Sequence, residues 1–326
     1  MHSRKYVSEF GLNMHLTHTL VLQQDELKMV GKYNYFNADN PCHIYLICRR
    51  PRILIDPDHF FVNKEKIVFA FKVQRQSSFE NLKIEFPNEF MTTNFKLNSC
   101  YPFNFFELLK DDEIFLQGKT AFLFQKYSQK FTEYLDFEVL YIGQSYGVEG
   151  ARTAPERLQS HSTLQGIYSE AILKNPDCEI WMILTSFEQI LITSMDGTKK
   201  VNDEEKEMNS DHLHKVTKAF LNDGLKEQQV INFTEAALIR YFQPPYNIEY
   251  KDTFPNPAHT SYSECYDLDI NSICIELNTE NINCRLFTET IKTNWNHMHD
   301  FFLHSHEDRK SMFDFEKPLS SNKLIQ

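Results

Sequence analysis

The stretch YIGQSYGVEGARTAPERLQSH, residues 141–161, contains the features that decide the predicted fold. It begins at the end of the apolar segment 137–145, whose β-branched and aromatic residues predict a strand. Thr153 and Glu156 then have the spacing of a capping box, which marks the first turn of a helix. We expect this helix to end near Lys174, just before an Asn-Pro pair. The stretch therefore predicts a strand, a turn and an amphipathic helix.

The predicted helix carries two basic side chains close to its apolar face. Arg157 and His161 are four residues apart, and Leu164 and Tyr168 continue the same row, because steps of three and four residues return to one side of a helix. A partly buried arginine requires an anionic partner or many hydrogen bonds. The row therefore suits a site for an anion, although a packed helix with polar decoration remains the alternative.

A later predicted helix, about residues 232–242, has a carboxylate on its packed face. Glu235 falls on the apolar stripe that Leu238 and Phe242 mark. A carboxylate there is costly unless it is paired or binds a metal. Asn232 and Glu235 also fit a capping pattern, in which Glu235 would only accept a hydrogen bond from a backbone N–H. Both interpretations of Glu235 stay open at this point.

Four motifs together resemble the GIY-YIG nuclease superfamily over about residues 120–250. In the family's order they are Tyr141-Ile142-Gly143 at a strand end, Arg157-x-x-x-His161 on the next helix, Glu235 on a later helix, and Pro244-Pro245-Tyr246-Asn247 just after it. The resemblance implies a small three-stranded antiparallel sheet flanked by helices. Its strands would be those predicted at 121–127, 137–145 and 178–187.

The resemblance also implies a role for the matching residues. Glu235 would hold one divalent ion, Mg²⁺ or Mn²⁺, and Arg157 would contact the scissile phosphate. Tyr141 would position or deprotonate the attacking water, and His161 stands where relatives have His or Tyr. A single carboxylate ligand suits Mg²⁺, which keeps several of its waters. Arginine suits phosphate because its planar fork matches the phosphate oxygens.

Three further residues complete the predicted substrate contacts. Asn247 matches an asparagine that contacts phosphate or helps to order the site, and Gly143 lets the backbone turn closely past it. Arg152, just before the helix, is a further candidate for binding the substrate. In residues 141–176 three acids balance three bases. We therefore expect nucleic acid to be held by few, well-placed contacts rather than by a basic stripe.

The first motif of the family is where this sequence departs from the pattern. The resemblance places a tyrosine about eleven residues before Tyr141, but position 130 is lysine. Tyr127, at the end of the strand predicted at 121–127, is the better substitute, and Tyr134 is the other candidate. The literal tripeptide Gly-Ile-Tyr at 166–168 lies within the predicted helix, so we interpret it as a coincidence.

Composition limits the classes of protein to which the chain can belong. The net charge of −11 argues weakly against nucleic acid as a partner, although the charge of a whole chain is not that of a site. No run of 18 or more apolar residues predicts a membrane span, and the N-terminus has no apolar signal segment. None of the seven cysteines forms a Cys-x-x-Cys pair, which favours reduced thiols and a cytoplasmic location.

The length of 326 residues predicts more than one core, in an α+β chain. Residues 1–115 are expected to form a β-rich domain that provides specificity, docking or dimerisation with a second copy or another protein. Residues 116–255 would be the GIY-YIG-like domain. Residues 256–326 would form a C-terminal extension with a β-hairpin, from strands near 270–278 and 280–288, and a His-rich helix.

The His-rich segment raises a metal-binding alternative. Its four histidines within ten residues are His297, His299, His304 and His306. Histidines in an H-x-H pair on a helix point to different sides, and the segment matches no zinc-ligand spacing. A solvated polar segment is the preferred interpretation.

The sequence therefore predicts a divalent-metal-dependent endonuclease that hydrolyses phosphodiester bonds. DNA is preferred to RNA as the substrate, although the sequence itself does not choose between the two. Restriction, anti-phage defence and repair are the pathways such an enzyme would serve. The alternative is a catalytically inactive GIY-YIG-like module that binds nucleic acid or protein.

Overall fold

The computed structural model describes residues 4–37, 40–128, 131–146, 158, 162–197, 199, 201–222, 224–307 and 309–314. Its strands are β1 (Ser8–Leu22), β2 (Ile44–Pro51), β3 (Ile53–Ile55), β4 (Phe61–Val62), β5 (Lys66–Arg75), β6 (Ser78–Pro87), β7 (Phe95–Asn98), β8 (Phe105–Lys110), β9 (Glu113–Lys119), β10 (Phe137–Gln144), β11 (Cys178–Met195), β12 (Ser272–Asn278), β13 (Leu286–Phe287) and β14 (Asn296–Phe302). Its helices are α1 (Leu27–Lys32), α2 (Thr120–Tyr127), α3 (Ser162–Lys174), α4 (Asp203–Asn222), α5 (Glu227–Phe242) and α6 (Glu264–Asp267). The expected mixture of strands and helices is confirmed.

A seven-stranded main sheet runs in the order β13-β10-β2-β11-β1-β12-β14. Strand β2 is antiparallel to both of its neighbours, β10 and β11, and β1 pairs antiparallel with β11 along most of its length. The first five residues of β2, Ile-Tyr-Leu-Ile-Cys, are all buried. A continuous apolar run of this kind is buried on both faces, which explains its central place in the sheet.

Helices cover both faces of the strands around β2. On the α5 face, Phe233 and Ala237 of α5 pack in one apolar cluster with Ile142 of β10. On the α3 face, Leu164 of α3 packs in a separate cluster with Leu140 of β10. Leu140 and Ile142 are two residues apart and would share a face in a regular strand, but the pairing of β10 with β2 shifts register between Val139 and Tyr141. Such a bulge places the two side chains on opposite faces.

Residues 52–136, which we call the inserted module, lie between the neighbouring strands β2 and β10. They form two further sheets, one in which β3, β4 and β6 all pair with β5, and one in the order β7-β8-β9. Their core joins both sheets to α2 through side chains such as Phe71, Phe106 and Phe124. The module is therefore built around a second core, on a loop that connects two adjacent strands of the main sheet.

Several expectations about the elements were wrong. The segment 121–127 is not a strand but most of helix α2, and its buried residues Ala121 and Phe124 have helical spacing. A short apolar run does not distinguish strand from helix.

The sheets also do not divide at residue 115, since β1 and β2 belong to the main sheet while β3 to β9 do not. The expected sandwich of residues 1–115 is thus split between two cores.

The C-terminal extension also differs from the expectation. Strand β12 pairs with β1 and β14, while β13 pairs with β10, so the hairpin expected between 270–278 and 280–288 does not form. Strand β14 occupies the start of the expected His-rich helix. It pairs antiparallel with β12 from Asn296 to Phe302, and its buried side chains His297 and Phe301 lie on one face of the strand. Within the part of the chain that is described, no helix is long and apolar enough to span a membrane.

Candidate active site

Two tyrosines meet where β2 and β10 pair. Tyr45 of β2 is the register partner of Gly143, and Tyr141 lies two residues earlier on β10. The ring centroids of Tyr45 and Tyr141 are 6.3 Å apart with an angle of 35° between the ring planes. Diagonal neighbours on one face of a sheet are within reach of aromatic side chains, which explains the contact. The pairing brings together residues that are 96 positions apart in the chain.

Gly143 makes this approach of the two rings possible. A Cβ atom at position 143 would lie 2.6 Å from Oη of Tyr45 and 2.7 Å from Cε1 of Tyr141. Both distances are shorter than any van der Waals contact, so a larger residue would displace the rings. The sequence predicted a close approach to the backbone at Gly143. The groups that make this approach are the side chains of Tyr45 and Tyr141.

The tyrosine pair lies on the α3 face of the main sheet. Tyr45 is completely buried, whereas Tyr141 is partly buried against the same apolar cluster. Leu158, Leu164 and Ile167 are members of that cluster. The ring of Tyr141 is consequently the more accessible of the two.

Asn247 fastens the segment after α5 to the outer edge of β10. Its Oδ1 accepts a hydrogen bond from the backbone N–H of Ile142 at 2.9 Å, and its Nδ2 donates to the carbonyl of Ile142 at 2.8 Å. The N–H of Tyr246 donates to the carbonyl of Leu140 at 3.0 Å. Both polar ends of the buried Asn247 side chain thus contact the strand that carries Tyr141. This geometry favours the ordering role over direct contact with phosphate.

Tyr246 connects the same segment to helix α3. Its hydroxyl donates a hydrogen bond to the carboxylate of Glu170 at 2.7 Å. Burial, and then the bond to this carboxylate, raise the pKa of Tyr246. The chain between Phe242 and Asn247 therefore passes along the edge of β10 from the α5 face to the α3 face.

Glu235 is partly buried on α5, whose buried residues pack on the face of the main sheet opposite the tyrosine pair. One turn earlier on the helix, Asn232 accepts a hydrogen bond from the Gln144 side chain at 3.1 Å. The negative charge of Glu235 also acts on Tyr250. The pKa of Tyr250 is raised mainly by burial, and the charge of Glu235 raises it further. Because α5 begins at Glu227, residues 232 and 235 lie within the helix, so the capping interpretation of Glu235 was wrong.

The structure does not bring all of the predicted residues together. Tyr127 lies in the inserted module, where its ring stacks on Phe86 with centroids 4.7 Å apart. Tyr134 is also in that module, and its hydroxyl donates to Glu80. Neither ring is part of the pair around Gly143. Tyr45 stands where the sequence-based expectation placed Tyr127.

Sequence reasoning missed Tyr45 because the inserted module separates it from Tyr141. The available signal was the Ile-Tyr pair at positions 44 and 45, on a segment that the sequence does predict as a strand. A search limited to the dozen residues before Tyr141 could not find it. Arg152, Arg157 and His161 lie outside the described residues.

The donor groups of the described residues can be compared with the needs of a metal ion. In that part of the chain, no three or more His, Cys, Asp or Glu side chains are grouped so that they could hold a metal by themselves. Mg²⁺ does not require such a cage, since it is commonly bound through one or two carboxylates, waters and substrate phosphates. A partly buried carboxylate at Glu235 fits this mode of binding.

The histidines of the C-terminal segment have structural partners. His297 contacts the hydroxyl of Tyr241 at 3.1 Å and the carbonyl of Asn294 at 3.0 Å. His304 lies 2.8 Å from the carbonyl of Ile270. Both nitrogens of His297 are thereby engaged, which gives this histidine a role in packing rather than in a zinc site.

Comparisons with models of known protein families, with curated proteins and with solved structures found no match. The function is therefore inferred from the residues of this chain and their geometry.

Proposed function

We propose that the protein is a divalent-metal-dependent endonuclease of the GIY-YIG type, which hydrolyses phosphodiester bonds in DNA rather than RNA. The observation that carries the proposal is the contact between Tyr45 and Tyr141 across Gly143. The family resemblance requires a tyrosine on the strand that precedes the YIG strand. Tyr45 meets this requirement, with the inserted module accommodated between the two strands.

The order of the elements supports the same proposal. Omitting the inserted module, the chain runs from β2 to β10, α3, β11, α4 and α5. This is the order strand, strand, helix, strand, helix, with one additional helix, α4, before the last. Strands β10, β2 and β11 form an antiparallel trio within the larger sheet. Glu235 and Asn247 follow on and after α5, as the resemblance requires.

The chemistry assigned to the site follows from the charges that hydrolysis creates. Negative charge develops on the non-bridging and leaving oxygens of the phosphate, and cations stabilise it. Glu235 would hold Mg²⁺ or Mn²⁺, and the bound ion would act as a Lewis acid toward the phosphate. Arg157 would add a guanidinium whose planar fork fits two phosphate oxygens.

The two tyrosines receive different roles in this proposal. Tyr141 is the more accessible ring and would orient or deprotonate the attacking water. A phenol has a pKa near 10, so this role at neutral pH requires a nearby cation. Tyr45 is completely buried, so it would act as a positioning residue that holds the ring of Tyr141. His161 would assist, as the family resemblance implies.

A catalytically inactive binding module is the second candidate. The complete burial of Tyr45 favours it, because a buried phenol does not reach a substrate. The net charge of −11 favours it as well, since it lowers the affinity for a polyanion. Cleavage distinguishes the two candidates directly.

The test is a panel of double-stranded and single-stranded DNA and RNA, incubated with and without Mg²⁺ or Mn²⁺. We expect metal-dependent cleavage that Glu235→Ala abolishes. Glu249→Ala is the matched control, because Glu249 is an exposed carboxylate that also acts on the pKa of Tyr250. Cleavage that survives Glu235→Ala, or that is lost equally in both variants, would contradict the assignment of Glu235. No cleavage of any substrate by the unmodified chain would favour the inactive module.

A further inference from the structure

The inserted module is unusually rich in phenylalanine. Residues 52–136 contain 15 of the 28 phenylalanines of the chain, together with 11 of its 34 Lys and Arg and 12 of its 45 Asp and Glu. The module is therefore almost neutral, whereas the rest of the chain carries nearly all of the net negative charge. Several of these rings are not in the core, and Phe90 and Phe115 are 47% and 46% exposed. Half-exposed rings suit a partner with flat apolar groups, and the nearly neutral module repels a negatively charged partner less than the acidic remainder of the chain does.

The exposed rings surround a cavity of about 400 Å³, which we call the aromatic cavity. Its aromatic lining consists of Phe69, Phe86, Phe90, Phe95, Phe115 and Tyr127. An apolar cavity of about 150 Å³ is enough to admit benzene. The aromatic cavity is therefore large enough for a heterocyclic base with part of its sugar.

The rings of the aromatic cavity are held in fixed orientations. Phe90, Phe95 and Phe115 meet edge to face, with centroids 5.2 to 5.7 Å apart. Phe86 and Tyr127 stack on each other and form another part of the wall. Aromatic rings fixed in this way lose little conformational entropy when a flat ligand packs against them.

Positive charge lies next to these rings. Nζ of Lys110 is 4.6 Å from the ring centroid of Phe90, and Nζ of Lys126 is 5.5 Å from that of Tyr127. Lys126 also lines the cavity, together with the carboxylate of Glu89. Aromatic rings beside lysines are the combination that binds single-stranded nucleic acid, in which bases stack and phosphates meet cations. An apolar peptide would use the rings but would gain nothing from the lysines.

We propose that the aromatic cavity binds an unpaired base of the nucleic-acid substrate, with Lys110 and Lys126 near the adjoining phosphates. The proposal rests on the proposed nuclease function and narrows its substrate to nucleic acid with a single-stranded stretch. The inserted module joins the main sheet at Pro51, six residues beyond Tyr45, which corresponds to about 20 Å along the strand. The substrate would thus contact the chain at two places, with its unpaired base in the aromatic cavity and its scissile phosphate at the tyrosine pair.

The test measures binding of two fluorescein-labelled strands to the full chain in EDTA, so that cleavage does not interfere. One strand is twelve thymidine nucleotides, and the other is an abasic strand of the same length, which has the phosphates but no bases. We expect the thymidine strand to bind at least about fivefold more tightly than the abasic strand, because stacking of one base strengthens binding by roughly 5- to 150-fold.

The matched variants separate stacking from general surface effects. The double substitution Phe90→Leu with Phe115→Leu keeps apolar side chains but removes both rings, so we expect it to fold and to lose the preference for the thymidine strand. Phe90→Ala with Phe115→Ala should lose at least as much, with thermal unfolding reporting whether it folds. Phe79→Ala is the control, because Phe79 is 48% exposed on β6 but is not part of the cavity.

Three outcomes would overturn the proposal. They are equal binding of the two strands, an undiminished preference in the leucine double variant, and a dimer of the chain that this variant dissociates, which would make the patch an interface between copies.

The Glu235→Ala variant separates this inference from the proposed function, since we expect it to lose cleavage but keep the preference for the thymidine strand. Cleavage without that preference refutes this inference alone, and the preference without cleavage refutes the proposed function alone.

Discussion

Tyr45 lies opposite Gly143 in the pairing of β2 with β10, and a Cβ atom on Gly143 would come within 2.6 Å of the Tyr45 hydroxyl oxygen. The tyrosine pair is thus built over the one residue type that leaves room for it. This relationship makes the region around Gly143 both a structural constraint and the centre of the proposed active site.

Gly143→Ala is expected to destabilise the protein. The added methyl group meets two ring atoms, one of which belongs to the fully buried Tyr45, and overpacking of this kind costs about 1–3 kcal/mol in the free energy of unfolding. Urea unfolding followed by circular dichroism measures the change.

Gly166→Ala is the control for this substitution. Gly166 lies within α3, and a Cβ atom there meets no atom of the described residues within 4 Å. Alanine should therefore raise the free energy of unfolding by roughly 0.5–1 kcal/mol. Similar shifts in both variants would show that the ring contacts at Gly143 have no energetic effect.

Asn247→Ala is expected to loosen the edge of β10. The substitution removes two hydrogen bonds and leaves the buried N–H and carbonyl of Ile142 without these partners, which costs about 2–4 kcal/mol. Hydrogen exchange at the Ile142 amide should accelerate, and the free energy of unfolding should fall. Asn281→Ala, at an exposed position, should change the stability by no more than about 0.5 kcal/mol. If the Ile142 amide exchanges as slowly in Asn247→Ala as in the unmodified chain, the two hydrogen bonds of Asn247 do not hold the edge of β10.

Stability is expected to fall as the pH drops below about 6.5. Burial is the largest cause that lowers the pKa of His212 and of His304, and the charge of Arg309 lowers that of His304 further. The ring of His212 stacks on Tyr6 with centroids 3.7 Å apart. Because the unfolded chain binds these protons more readily than the folded one, their contribution is complete above the ordinary histidine pKa and is lost below it.

Urea unfolding at pH 7.5 and pH 5.5 tests this dependence. The unmodified chain should be less stable at pH 5.5, and a variant with His212→Gln and His304→Gln should lose less stability between the two pH values. His306→Gln, at an exposed histidine, should leave the difference unchanged. If the double variant keeps the full difference, other groups are responsible for it.

Local patterns predicted part of the fold and failed where partners are distant in sequence. Strand β10 and the first half of β11 were predicted because each contains a continuous run of four or five apolar residues, 139–142 and 180–184. The pairing of β10 with β2 was not, because the residues that would show it are separated by the inserted module. The helix α2 was taken for a strand for a related reason, since the helical spacing of Ala121 and Phe124 is obscured by the apolar residues between them.

The candidate site was predictable to the extent that its residues follow Tyr141 in the chain. Glu235 was singled out by a carboxylate on a packed helical face, and it is partly buried on α5. Asn247 was identified by its place after the paired prolines, but its two hydrogen bonds to Ile142 have no sequence signature. Tyr45 could be recognised only once the register between two strands was known.

The most direct test of the central claim is the rate of single-turnover DNA cleavage by Tyr141→Phe in the presence of Mg²⁺. Tyr266→Phe is the control, because it removes a hydroxyl from another partly buried tyrosine, which packs against the cluster on the α5 face and not against the cluster of the tyrosine pair. If Tyr141 orients or deprotonates the attacking water, Tyr141→Phe should be slower by about 100-fold or more, while Tyr266→Phe stays close to the unmodified rate. Cleavage by Tyr141→Phe at the unmodified rate would contradict the proposed active site.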